Sequence, residues 1–172
     1  MRKGSVRSGL IRRGDYLYHG DKVITGQIGS ASFIMIYEDT SIKIYNNSVV
    51  RLLSERYSML NHSELALFVG KVIIEADDNM GYNFVVNTPS TKATVSGTNF
   101  LAEYQEDLLF DGINYAIFTV LEGLIELENL NSNLSMFLHI GETIVSTDNG
   151  KFLRLDTFRS SDEIVNSLLE FR

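Results

Sequence analysis

The sequence predicts an all-β fold of short strands, closed at the C-terminus by a single α-helix. Apolar residues alternate in short runs, and Gly, Asn and Asp turns separate these runs about every eight to twelve residues. A strand–glycine–strand unit also occurs twice, over Leu65–Glu75 and Phe118–Glu128. Reuse of one bent unit favours stacked strands, arranged either as a β-solenoid or as a double-sheet roll.

The composition limits the classes of function. The chain has 172 residues, a net charge of −7 and no cysteine. This length fits one domain with a buried core, and the lack of cysteine excludes thiol catalysis, disulfides and thiolate zinc sites. The acidic balance argues against nucleic-acid binding, because phosphate backbones need a basic surface. We also expect no transmembrane segment and no secretory signal, since no apolar run of the required kind occurs.

The strands follow from the alternation of apolar residues and from the turns between them. Gly14-Asp15 and Gly20-Asp21 predict tight turns, with two short strands over residues 9–25. The irregular residues 54–64 predict a long connection, and residues 106–112 a hairpin-like return. The other predicted strands cover 32–37, 41–45, 49–53, 65–75 with Gly70 inside, 83–87, 92–96, 99–104, 114–128 with Gly123 inside, 135–139, 143–146, and a last one from Phe152.

Two strands show which face is buried. Ile42 and Ile44 alternate with polar residues, and so do Ala116, Phe118 and Val120. Since successive side chains of a strand point to opposite faces, each set is predicted to face the core.

Only the C-terminus has helical spacing. Ser160 and Glu163 match a capping box, and the apolar residues that follow fall on one helical face. We therefore predict a β domain over residues 1–155 and a helical extension over 156–172. The amphipathic helix, from about 161 to 171, is expected to dock on its own domain, and docking on a partner is the alternative. Its apolar face consists of Ile164, Val165, Leu168 and Leu169.

The polar residues form no recognisable catalytic or metal-binding motif. His19, His62 and His139 are far apart, and no His-x-His pair occurs. The loop from Asp77 to Gly81 lacks the spacing of a calcium-binding loop, and neither a phosphate-binding loop nor a GxSxG motif is present. We accordingly predict no catalytic, cofactor-binding or metal-binding residues, no cofactor and no enzymatic activity.

The stretch Asn87–Tyr104 contains the only proline, Pro89, and is rich in hydroxyl side chains. No histidine lies within it to act as a base for a serine or threonine nucleophile. Threonine is common in strands for packing reasons alone. An exposed threonine ridge that binds a partner by strand addition is the alternative interpretation.

In and before this stretch, Phe84-x-Val86-x-Thr88-Pro89 is followed by Ala93-x-Val95-x-Gly97-Thr98-x-Phe100. This pattern resembles the signature of the FecR domain family. The glycine-centred strands at Gly70 and Gly123 and the closing turn at Gly141 are similar to family features in the same order, over about residues 4–153. The resemblance implies structural signature positions at Thr88, Pro89, Val95, Gly97, Thr98, Phe100, Gly70, Gly123 and Gly141.

The resemblance implies a periplasmic or otherwise extracytoplasmic module of the bacterial cell envelope. Such a module would bind protein partners for signal sensing, signal transduction or scaffolding, and a homo-oligomer is one option. The resemblance does not extend to the sigma-binding helices, the membrane anchor or the additional small domain of full regulators.

A carbohydrate- or cell-wall-binding β module is the alternative function. It predicts exposed aromatic residues on one face of the domain, for which Tyr16, Tyr18, Tyr37 and Tyr45 are the candidates.

Overall fold

The computed structural model describes residues 9–36, 39–53, 62–76, 83–106 and 113–154. This part of the chain contains thirteen β-strands and no helix, which confirms the all-β prediction for it. The strands are β1 (Lys22–Ile24), β2 (Ala31–Met35), β3 (Thr40–Ile44), β4 (Val49–Leu52), β5 (His62–Glu75), β6 (Asn83–Asn87), β7 (Thr91–Val95), β8 (Asn99–Gln105), β9 (Tyr115–Glu122), β10 (Leu124–Asn129), β11 (Leu134–His139), β12 (Thr143–Thr147) and β13 (Phe152–Arg154).

The strands form a curled sheet with two layers that share β5. The first sheet has the order β1-β4-β5-β6-β7-β10-β11, and the second has the order β2-β3-β5-β8-β9-β12-β13. Among the described strands, every pairing is antiparallel except that of β5 with β6. A parallel β-helix stacks its repeats with parallel pairing, so this arrangement agrees with the double-sheet alternative.

One apolar core contains residues from both sheets. Ile42 and Ile44 on β3 are fully buried. The side chains of Ala116, Phe118 and Val120 on β9 are at most 1% exposed, so both predicted faces are confirmed. The largest fully buried side chains are Phe100 and Phe118, each of which contributes about 1.5–3 kcal/mol of burial free energy.

Gly70 and Gly123 are the corners where the chain changes sheets. At Gly70, with φ of 97°, β5 passes from the first sheet to the second. At Gly123, with φ of 87°, the chain returns from β9 in the second sheet to β10 in the first. Positive φ favours glycine, and the space around both residues is closed. An added Cβ would lie 2.1 Å from Ser48 Oγ at Gly70 and 2.7 Å from the Gly97 carbonyl oxygen at Gly123.

The N-terminal segment differs from its prediction. Only one short strand, β1, lies within residues 9–25, because the preceding residues form turns. Asp15 Oδ2 accepts a hydrogen bond of 2.7 Å from the Arg12 N–H, and Asp21 Oδ2 accepts one of 2.8 Å from the Tyr18 N–H. These aspartates take the backbone donors that a strand would use for pairing.

Other predictions differ in extent or lie outside the described residues. β5 begins at His62, before the predicted Leu65, because its first residues pair with β6. The hydrophobic run at 32–37 is found as β2, in which Phe33 packs against the core and Ile34 is exposed. The 54–61 connection, the return at 107–112, the boundary at 155 and the C-terminal helix lie outside the description. Among the described residues, no helix is long and apolar enough to cross a membrane.

Candidate functional site

A groove of about 370 Å³ lies on the outer face of the first sheet, across β5, β6 and β7. Leu65, Val86 and Ala93 on these strands point into the core. Because side chains alternate along a strand, the intervening residues point outward and line the groove. The lining residues are Glu64, Asn83, Val85, Asn87, Lys92 and Thr94.

The strand register brings these side chains together. Val85 on β6 lies opposite Glu64 on β5 and opposite Thr94 on β7. Val85 is only 6% exposed although it points away from the core, so it forms the floor of the groove. Asn87 lies opposite Lys92, and the Asn87 Nδ2 donates a hydrogen bond to Glu64 Oε1. This bond orients the Glu64 carboxylate within the groove.

The chemistry of the groove is suited to binding. It offers one carboxylate, one ammonium group, two amides and one hydroxyl above an apolar floor. These groups can donate and accept hydrogen bonds, and the described lining residues include no histidine or cysteine to form a nucleophile–base pair. Across the described residues, no group of three or more histidine, aspartate or glutamate side chains is arranged to hold a metal ion.

His19 and His139 are not brought together into a site. His19 lies in the turn before β1, at one edge of the first sheet, and His139 ends β11 at the other edge. The His139 N–H donates a 2.8 Å hydrogen bond to Glu142 Oε2, and Arg154 Nη1 lies 2.5 Å from Glu142 Oε1. The backbone hydrogen bond, and secondarily Arg154, hold the pKa of Glu142 below its usual range. Glu142 therefore joins β11, β12 and β13 as a structural contact.

The FecR-like signature residues lie in bends and in the core. Val95 and Phe100 are buried, whereas Pro89 is exposed at a bend. The Thr88 Oγ1 accepts a hydrogen bond of 3.0 Å from the Thr91 N–H, and the Thr98 Oγ1 donates one of 2.9 Å to the Leu124 carbonyl. None of the nine signature residues lines the groove. Gly97, with φ of 60°, lies in a bend, and Gly141, with φ of 77°, lies in a turn.

The hydroxyl groups of the central stretch are mainly structural, which corrects the exposed-ridge interpretation. Thr91 and Thr98 are buried, and Thr94 alone among the threonines of this stretch lines the groove. Thr91 Oγ1 on the first sheet donates a 2.6 Å hydrogen bond to Ser146 Oγ on the second, and Asn129 Nδ2 donates one of 2.9 Å to the same oxygen. This buried network connects the two sheets.

Sequence reasoning missed the network and the groove for different reasons. Asn129 follows an alternating strand and begins a cluster of turn-forming residues, so its sequence context indicates a turn. Its inward direction was nevertheless readable, since it continues the parity of Ile125 and Leu127. The groove depends on the parallel register of β5 and β6, for which no sequence signal exists.

The candidate tyrosines occupy different environments. Tyr16 and Tyr18 are 74% and 67% exposed in the irregular segment that precedes β1. Tyr45 is half-buried after β3, with the Lys43 ammonium 5.2 Å from its ring centroid, and Tyr37 lies outside the described residues. Burial raises the pKa of Tyr45.

Comparison of the chain with known proteins finds similarity in solved structures. No family model and no curated protein matches the sequence. Two crystal structures, at 1.65 and 2.50 Å resolution and described as a "putative anti-sigma factor" from Parabacteroides distasonis ATCC 8503, have a similar fold. Each aligns with a TM-score of 0.62 and 17% sequence identity, over 78% of this chain and 59% of the other. This chain therefore spans about three-fifths of the length of that protein, and the similarity establishes the fold.

Proposed function

We propose that this chain is a non-catalytic, FecR-like module of the bacterial cell envelope that binds protein partners in signal sensing or transduction. The observation that carries the proposal is the coincidence of the signature glycines with the backbone bends. Gly70 and Gly123 form the two sheet corners, and Gly97 packs against the second of these. The fold shared with a protein described as a "putative anti-sigma factor" also supports a signalling role.

Partner recognition is assigned to the groove. Its residues lie on three adjacent strands inside the first sheet, which hold the side chains in place without a loop. Lys92 and Glu64 provide opposite charges, and Asn83 and Asn87 provide amides. This set is suited to a polar protein segment that presents both hydrogen-bond donors and acceptors.

The proposal is tested by site-specific photo-cross-linking in bacterial envelopes. A photoreactive amino acid replaces Asn83 at the groove or, as a control, the exposed Lys151 away from it. We expect Asn83 to form a protein adduct that mass spectrometry identifies, and Lys92→Glu to reduce its yield severalfold. Equal adducts from both positions, or none from Asn83, would overturn the assignment.

The extracytoplasmic location has its own test. A fusion of the full native gene to a reporter enzyme that is active only outside the cytoplasm should give reporter activity. Activity confined to a matched cytoplasmic reporter would contradict this part of the proposal.

Glycan binding is the second candidate, favoured by the exposure of Tyr16 and Tyr18. It predicts that the purified protein sediments with isolated cell-wall sacculi and that the double substitution Tyr16→Ala with Tyr18→Ala abolishes this. If the Lys92→Glu variant still sediments with the sacculi, the glycan is bound without the groove, and this result would favour glycan binding over the groove-based function.

A further inference from the structure

Among the described strands, β11 lies at a sheet edge, contains no aspartate, glutamate, lysine or arginine, and exposes large apolar side chains. The described strands leave four sheet edges, at β1, β2, β11 and β13. β1 and β13 have three residues each, β2 has five and β11 has six. β2 exposes one large apolar side chain, Ile34, whereas β11 exposes Leu134 and Phe137. Natural proteins usually shorten such edges or place charges on them, because unpaired backbone groups are ready to pair with another strand.

An apolar patch surrounds this edge. Phe137 is 54% exposed, on the same outer face as Leu124 of β10. The residues that flank β11 add to the patch, since Leu130 precedes the strand, Ile140 follows it, and both are exposed. Among the described residues, the β11 edge therefore combines strand backbone that pairs with no further strand and exposed apolar surface, the two features of a strand-pairing interface.

We propose that β11 pairs with β11 of a second copy of this chain, antiparallel, with Phe137 on the two-fold axis. The first sheet then continues across two copies through one isologous interface. This inference goes beyond the proposed function and does not rest on it, since β10 lies between β11 and the three strands of the groove.

The strand is complementary to itself in this register. A two-fold axis perpendicular to the sheet keeps inward and outward side chains on their own faces. Phe137 then faces its copy on the outer face, and Met136 lies opposite Leu138 on the core face. Aromatic and apolar cross-strand pairs are the favourable ones, and no like charges are directly opposed.

The surrounding acidic residues do not prevent this pairing. Glu126 lies opposite Phe137 within one copy, so the two Glu126 residues of a dimer are three strand spacings apart. At about 4.8 Å per spacing, the separation is roughly 14 Å. This exceeds the Debye length of about 8 Å at physiological ionic strength, so their repulsion is largely screened.

Sedimentation velocity of the full chain over a range of concentrations tests the proposal. We expect a monomer–dimer equilibrium that Phe137→Lys weakens at least tenfold. Ile28→Lys is the matched control, because it adds the same charge at a fully exposed turn residue. A chain that is monomeric at all concentrations, or a dimer that Ile34→Lys rather than Phe137→Lys disrupts, would overturn it.

Cysteine cross-linking tests the register, since the natural chain has no cysteine. Phe137→Cys places the two thiols beside each other on the axis, and a short bismaleimide should link the two copies. Ser135→Cys places them four residues apart along the strands, about 13 Å, which is beyond the reach of the reagent. Equal cross-linking at positions 135 and 137 would contradict the register, and the lack of any dimer at position 137 would contradict the interface.

Discussion

Gly70 and Gly141 have similar backbone conformations in different surroundings. Their φ angles are 97° and 77°, both in the region that favours glycine. A Cβ at Gly141 would meet nothing within 4 Å, whereas at Gly70 it would lie 2.5 Å from the Ser48 Cα. Ser48 is fully buried and accepts a 2.9 Å hydrogen bond from the Lys71 N–H, so it cannot move away freely. A comparison of substitutions at the two glycines therefore separates the cost of a positive φ from the cost of a clash with Ser48.

Gly141→Ala should cost about 1–3 kcal/mol, the usual cost of a non-glycine residue in a sparsely populated conformation. Gly70→Ala should cost clearly more, because the new methyl group also displaces Ser48. Urea unfolding of the two variants and the parent measures both values. Equal losses would show that the close approach to Ser48 has no energetic effect.

The Ser146 hydroxyl is the shared acceptor of the buried network between the sheets. Ser146→Ala leaves Thr91 Oγ1 and one Asn129 N–H without this partner, so we expect a loss of about 1–3 kcal/mol in unfolding free energy. Thr143→Ala is the matched control on the same strand, since it breaks a 3.0 Å hydroxyl contact with Thr119 that is half-exposed. A control that is as destabilised as Ser146→Ala in thermal unfolding would contradict a special role for the buried network.

Glu142 links β11 of the first sheet to β12 and β13 of the second. Its pKa is lowered by the His139 backbone N–H and then by Arg154, so the ionised carboxylate favours the folded state. That contribution is complete above the pKa of an unfolded glutamate, about 4.3, and is lost as the pH falls through the lower folded value.

Glu142→Gln should therefore destabilise the protein at pH 7 and have a smaller effect at pH 3. Thermal unfolding of the parent and the variant at both pH values measures the difference. Arg154→Met should reduce the pH dependence only in part, because the His139 N–H still donates to the carboxylate. A gap between parent and Glu142→Gln that does not change with pH would contradict this account.

Most strands were predictable because each has one buried face. The alternation of Ile42 with Ile44, and of Phe118 with Val120, records burial directly in the sequence. The turns at Gly14-Asp15 and Gly20-Asp21 were predicted, but two strands were assigned to residues 9–25 where the structure has one, because the competition of Asp15 and Asp21 for backbone donors has no apolar signature. The repeated unit predicted the corners at Gly70 and Gly123, but the alternation of apolar residues does not determine which strands pair with each other. The pairing of β5 with β6, and with it the groove, therefore needed the structure.

β5 connects the two sheets into one mechanical unit. It pairs with β4 and β6 in the first sheet and with β3 and β8 in the second, and it contributes buried residues throughout. Neither sheet can separate from the other without breaking this strand. We therefore expect a single cooperative unfolding transition for the domain.

Hydrogen exchange followed by mass spectrometry tests this expectation. Amides of β5 and β8 should exchange slowest, at the free energy of global unfolding, and those of the short edges β1 and β13 should exchange fastest. Two separate transitions, or slow exchange confined to one sheet, would show that the sheets unfold independently.

The course of β5 between the layers also determines when the chain can finish folding during its synthesis. Each sheet takes strands from before and after β5, and one outermost strand of each sheet, β11 or β13, is among the last to be synthesised. A nascent chain that stops before Leu124 lacks β10 and leaves β7 as an uncovered edge. Such fragments leave the backbone of β7 unpaired beside its apolar residues Ala93 and Val95, the combination that leads unfinished β proteins to aggregate. The ribosome must therefore release nearly the whole domain before either layer closes.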